Sequence, residues 1–229
     1  MKKQIIVTFV LLLCGLHSMY AQLQDQRHNF SVGFNGGVNI NTVSFDPSFK
    51  QGKLMAPTFG LTGRYISEKY FRAICGLQVE VNFSQHGWKE DIDDGSGDSY
   101  LRKMNYIEVP FLAQLGFGKD NGHGVRFLIQ AGPQVGFLLS EKEEKSASWH
   151  PEQRIVTEQY GKMADRKFDY GIAGGAGLEV RTGIGNFILE GRYYFGLNDF
   201  YNNTKRDYFG RSAHATIIGK LTYLFDLTN

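Results

Sequence analysis

Two histidines each lie two residues after a serine, His86 after Ser84 and His214 after Ser212. An imidazole can take the proton of a serine hydroxyl and make it a nucleophile, so either pair could serve an acyl hydrolase or a protease. Neither pair is framed by a nucleophile elbow or a metal motif, and both residue types are common near loops. The run Asp91, Asp93, Asp94 and Asp98 could suggest calcium. An EF-type loop needs oxygens at positions 1, 3 and 5, glycine at 6 and glutamate at 12. Counted from Asp91, the fifth position is Gly95 and the twelfth Arg102, so the pattern fails and a solvated loop is the better account. Gly175 and Gly177 could pass for a nucleotide loop, but they fall inside an alternating stretch with no helix after it. Glycine there suits close packing or sharp curvature of a sheet. The expectation is therefore no catalytic residue, no cofactor and no metal. The remaining chemistry is a set of charges spaced through otherwise apolar segments: Arg64, Glu80, Glu108, Arg126, Glu179, Glu190, Arg192 and Lys220.

The elements that carry these charges alternate with period two. Between Met104 and Phe117, Ile107, Val109, Phe111, Ala113, Leu115 and Phe117 share one face, and Tyr106, Glu108, Pro110, Gln114 and Gly116 the other. The same two-faced pattern recurs about eight times, and each repeat predicts a strand. A soluble sandwich would also alternate, with its apolar faces turned inward. These runs are longer than the usual globular strand of about 5–6 residues and match the roughly 9–11 tilted residues that cross a bilayer. The connections decide the matter, because they alternate in length along the chain. Segments 41–56, 88–102, 140–167 and 198–211 are long, whereas 67–71, 119–123 and 183–185 are short. Outer-membrane barrels have this asymmetry, with short periplasmic turns and longer external loops. Lipid also forbids an open sheet edge, so the strands must close on themselves. The expected fold is all-β, a transmembrane antiparallel up-and-down β-barrel of about eight strands. Its apolar faces meet lipid, and the eight charges turn into the lumen. Four carboxylates then face four cations, which predicts an ion-pair network that fills the barrel, since unpaired charges in a narrow interior are costly.

Composition and the chain's first residues agree. Of 229 residues, 28 are Gly and 14% are aromatic against only 5 Pro, and the formal net charge is +2. Without a basic cluster, nucleic acid is a poor partner. The mean hydropathy of −0.29 excludes a polytopic helical membrane protein. Lys2 and Lys3 precede an apolar run from Ile5 to Leu13, and Ala21 offers a cleavage point before Gln22. Residues 1–21 therefore read as a signal peptide and 22–229 as one barrel domain. Cys14 lies inside the apolar run after Leu13, which does not suit a lipobox, and Cys75 is left as a lone small hydrophobe. Aromatics near strand ends predict interfacial girdles, with Tyr65, Tyr70 and Phe71 at one level and Trp88, Tyr100, Tyr194, Phe200 and Tyr201 at the other.

Several stretches also resemble a known family. Tyr106-Ile107-Glu108-Val109-Pro110-Phe111-Leu112 resembles the tyrosine–glutamate–proline strand of PorT-like outer-membrane β-barrel proteins of Gram-negative bacteria. Residues 132–139, 168–171 with 174–179, and 191–197 are similar to its later strands, and Tyr223-Leu224-Phe225 to its last, with Asp226 to Asn229 following where such barrels often end on the aromatic. The resemblance implies a cell outer membrane location and a link to protein secretion for the family's name-giving member. It says little about the task of other members. The expected partners are outer-membrane lipid, the barrel assembly machinery, and a protein or glycan at the external loops, with the chain a monomer. The leading expectation is a structural or interaction role without catalysis. The alternatives are a small-solute porin, a component linked to secretion, and last an outer-membrane hydrolase.

Overall fold

The computed structural model describes residues 28–70, 73–118, 124–150, 152 and 154–227. The expected leader, residues 1–21 with Cys14, lies outside the described residues. Strands run in chain order as β1 (Asn29–Asp46), the two-residue β2 (Gln51–Gly52), β3 (Leu54–Tyr70), β4 (Ala73–Glu90), β5 (Tyr100–Gly118), β6 (Gly124–Lys145), β7 (Phe168–Thr182), β8 (Gly185–Gly196) and β9 (Arg211–Asp226). Each long strand pairs antiparallel with its neighbours, β1 with β9, and β4 with β5, so eight long strands close into a ring. Closure leaves the eight long strands no free edge, as a hydrocarbon surround demands.

The two faces have opposite exposure to those of a soluble sheet. On β3, Leu61 is 68% exposed while Arg64 is 1% exposed. Outward-facing Phe34, Val81, Phe111, Ile129, Ile172, Leu189 and Leu221 continue the apolar band around the ring. At the turn end Phe34, Phe187, Tyr223 and Phe225 form an aromatic group on the outer surface. Tyr65 joins that level beside His28. Phe71 and the side chain of Tyr70 lie outside what is described. At the other end the band stops at a polar row, where Gln85 donates to Asn105 and Asn105 to Ser140.

The strands continue past that row, so the connections are shorter than the alternation of outward apolar residues predicts. They span 47–53, 91–99, 146–167 and 197–210. Above the row the outward positions are polar, and the signal for a membrane strand fades although pairing goes on. Glycine lets the sheet curve where backbones approach. A Cβ on Gly175 would meet the Gly191 carbonyl oxygen at 2.1 Å, and one on Gly87, at φ +132°, would meet that of Arg102 at 1.9 Å. A bulge between β5 and β6 shifts the register, so Asn105 opposes Ser140 while Tyr106 opposes Leu138. The extra residue swaps faces on β6 and turns Glu141 and Glu143 toward the mouth.

Candidate functional site

The interior is filled from the turn end upward by contacting layers. Lowest, Asp226 on β9 accepts from Ser31 at 2.6 Å and Asn186 at 2.9 Å, with Arg181 at 3.5 Å. Above it Glu179 on β7 meets Arg64 at 2.8 Å and Arg126 at 3.7 Å. The gap beside Gln114, Arg126 and Glu179 is about 10 Å³, room for one water at most.

The next layer is the most charged. Glu80 on β4 takes a two-pronged contact from Arg192 on β8, one arm of it at 3.1 Å, and a bond from Lys220 on β9 at 2.8 Å. Arg192 also reaches Glu190 at 2.5 Å, and Gln130 donates to that carboxylate at 2.6 Å. Gln78 and Asn82 donate to Glu80 at 2.6 and 2.8 Å. All these side chains are at most 4% exposed. The register creates the cluster: Glu190 lies opposite Lys220, and Arg192 lies two residues along β8 on the same face.

The two histidines meet in the layer above, with ring centroids 5.1 Å apart. His86 places Nε2 2.7 Å from Glu108 and Nδ1 3.2 Å from Thr216. Gln134 donates to the same Glu108 oxygen at 2.9 Å. His214 Nε2 pairs with the Tyr106 hydroxyl at 3.1 Å, and Tyr194 donates to Asp169 at 2.6 Å. The serines two residues before them point elsewhere. Ser84 donates to Thr58, and the Ser212 oxygen accepts from the Tyr201 amide. Both histidines are buried, 1% and 2% exposed, rather than open at the mouth. Their strands continue above them, which puts these residues deeper than a reading of strand ends suggests.

An aromatic core closes the mouth. Trp88, Tyr100, Met104, Tyr106, Phe200, Tyr201, Phe45 and Phe209 are all buried together. Trp88 stacks on Phe200 at 5.8 Å, and Phe200 stacks on His214 at 5.0 Å. This corrects the expected upper girdle. Trp88, Tyr100, Tyr194, Phe200 and Tyr201 lie inside the barrel, at most 3% exposed, and not at the lipid interface. The strand residues among them share the inward parity of Glu80, Glu108 and Arg192, and parity outranks nearness to a strand end.

Ion pairs tie the loops over this core. Arg102 meets Glu141 at 3.1 Å and Glu143 at 3.2 Å. Glu90 accepts from Gln159 at 2.8 Å and Tyr160 at 2.7 Å. Asp98, from the expected acidic loop, accepts from Arg154 at 2.7 Å, the His150 amide at 2.9 Å and Ser146 at 3.1 Å. Burial pushes the Asp98 carboxyl up, but the His150 amide and the Arg154 and Ser146 side chains outweigh it and hold it below the usual carboxylate value. Period-two reading of the sequence did not find Asp169, Arg102, Glu141 or Glu143. The first stands at the start of β7, before its alternation begins, and the bulge hides the last two.

A match to a known family agrees with this architecture. The family described as "Outer membrane protein beta-barrel domain" matches residues 20–202. No curated protein sequence matches the chain. Among solved structures, the attachment invasion locus protein Ail of Yersinia pestis is 14% identical, covering 87% of this chain and all of its own, with a TM-score of 0.35. OprG of Pseudomonas aeruginosa is 12% identical over 87% of this chain and 94% of its own, with a TM-score of 0.47. The outer membrane enzyme PagL is 11% identical over 83% and 98%, with a TM-score of 0.38.

Proposed function

The chain belongs to the outer membrane protein β-barrel domain family, and on that premise we propose that it is a closed, monomeric barrel whose external loops serve as an interaction platform without catalysis. Its place is the cell outer membrane, in contact with lipid. One observation carries the reading: the lumen is closed twice, by the Glu80–Arg192–Lys220–Glu190 cluster and by the aromatic core around Trp88. A conducting pore needs a continuous water path. A hydrolase needs its nucleophile beside its base within reach of substrate, whereas Ser84 donates to Thr58 and Ser212 accepts from the Tyr201 amide, both buried. Both features support a role at the loops, with a protein or glycan as partner. Kinship with the PorT-like barrels is part of the same proposal. It is supported by the stretch Tyr106–Leu112, whose Glu108 accepts from His86 and Gln134.

Planar-bilayer recording of the refolded chain tests the reading, with heat-modifiable gel mobility confirming a folded barrel. No steady conductance is expected. Discrete steps of reproducible size would make the chain a small porin and overturn the proposal.

A further inference from the structure

We propose that a cavity at the loop end, between the connections 47–53, 91–99 and 146–167, binds a neutral saccharide. The inference rests on the platform reading and names the ligand class for one part of that platform. The cavity measures about 340 Å³, within the roughly 300–1,000 Å³ of small-ligand sites.

Two of its lining residues, Arg154 and Gln159, carry buried polar atoms that the protein leaves without partners. Gln159 is 1% exposed, and its amide nitrogen bonds Glu90 at 2.8 Å and the Val156 carbonyl at 3.1 Å. The amide oxygen has no partner. The Arg154 side chain is 8% exposed and uses Nη2 on Asp98, leaving Nε and Nη1 without acceptors. One free acceptor and two free donor nitrogens therefore lie in buried side chains that their other bonds hold in place. A buried polar group without a partner is costly, and a ligand that supplies both donors and acceptors relieves it. Hydroxyl groups do both.

Charge narrows the class. Four carboxylates, Glu90, Asp91, Asp93 and Asp94, line the cavity against two cations. Lys50 is taken by Asp91 at 3.0 Å and Arg154 by Asp98 at 2.7 Å. The negative excess repels sulfated, phosphorylated or carboxylated ligands and leaves neutral polyols admissible. Phe49 and Tyr160 add aromatic surface to the same wall, against which the C–H face of a pyranose can rest. The Tyr160 hydroxyl is held by Glu90 at 2.7 Å, so that ring is fixed in advance.

The test uses the full chain, refolded in detergent micelles, on an array of neutral and anionic glycans. Hits are followed by tryptophan emission in a Trp88→Phe background. That substitution isolates Trp149, whose ring lies 4.9 Å from Tyr160. Saturable binding of a neutral oligosaccharide is expected, weakened about tenfold or more by Gln159→Leu or Arg154→Met. Asp93→Asn should relax the exclusion of a sulfated glycan. Gel mobility checks that each variant remains a folded barrel. Preference for anionic glycans, or no neutral binding anywhere on the array, overturns the proposal. Neutral binding that survives both cavity variants but is lost when residues 146–165 are replaced by a short linker rejects this cavity and leaves the platform reading standing. Neutral binding indifferent to that replacement rejects both.

Discussion

The middle of the lumen and its mouth are both closed, but by opposite chemistry. In the middle, Glu80, Glu190, Arg192 and Lys220 satisfy one another across strands β4, β8 and β9. At the mouth, Trp88, Tyr100, Phe200 and Tyr201 pack ring on ring, and two of the four come from a loop. A network of charges depends on its full membership, since removing one partner leaves another charge buried and unpaired. An aromatic core degrades gradually, because each ring removed leaves a cavity that neighbours or water can partly fill. The barrel thus has a brittle layer set by strand register beneath a forgiving layer shared with its loops.

Arg192→Leu should expose that brittleness most. It strands Glu80 and Glu190 within one layer, with only Lys220 left to balance them. A loss of about 3–5 kcal/mol is expected, read from urea unfolding followed by gel mobility in micelles. A loss below about 1 kcal/mol would mean that solvent already reaches the layer. Trp88→Ala comes next, at about 3 kcal/mol, the lower end for a buried Trp. Conductance should stay absent in this variant, since the charged layer below remains; current through it would place the whole seal in the aromatic core. Glu108→Gln is milder, at about 1.5–3 kcal/mol, because the amide keeps the volume and a carbonyl acceptor while His86 loses its charged partner. If it unfolds at the wild-type urea midpoint, the histidine layer contributes nothing to the plug.

The same contrast explains what could be read from the chain alone. The inverted faces and the inward set of Arg64, Glu80, Glu108, Arg126, Glu179, Glu190, Arg192 and Lys220 follow from period two, because lipid disfavours polar side chains on the outward positions it covers. Which carboxylate meets which cation depends on register across strands distant in sequence, as with Glu80 and Arg192, and no local pattern encodes it. Trp88 and Tyr100 were within reach of the same parity rule, which assigns them to the face of Glu80 and Glu108. Nearness to a strand end, which also suits a girdle, pointed to lipid instead. Glu141 and Glu143 were beyond it, because the bulge opposite Asn105 changes the phase of β6 without a glycine or proline to mark the place. The cavity wall is the least legible part, assembled from three connections that share no periodicity.

The smallest effect belongs to the loops, where acid separates the clamp from the barrel beneath it. Asp98 has a folded-state value held below the ordinary 3.8, with burial opposed and outweighed by the His150 amide, Arg154 and Ser146. A carboxylate depressed in the folded state contributes stability that is complete above its unfolded value and is lost as pH falls through the folded one. The clamp should therefore hold from about pH 7 to about pH 4 and loosen only in stronger acid, because protonation removes the charge that Arg154 requires. In the Trp88→Phe background, Trp149 reports this directly, since Arg154 lies over its ring at 4.9 Å. Its emission should stay level across that range and shift to the red below it, while gel mobility still shows a folded barrel. Asp98→Asn should show the red-shifted emission already at neutral pH, as the amide cannot hold the guanidinium by charge. An emission shift that begins near pH 6 and persists in Asp98→Asn would assign the response to a histidine, and the loop clamp would lose its dependence on this carboxylate.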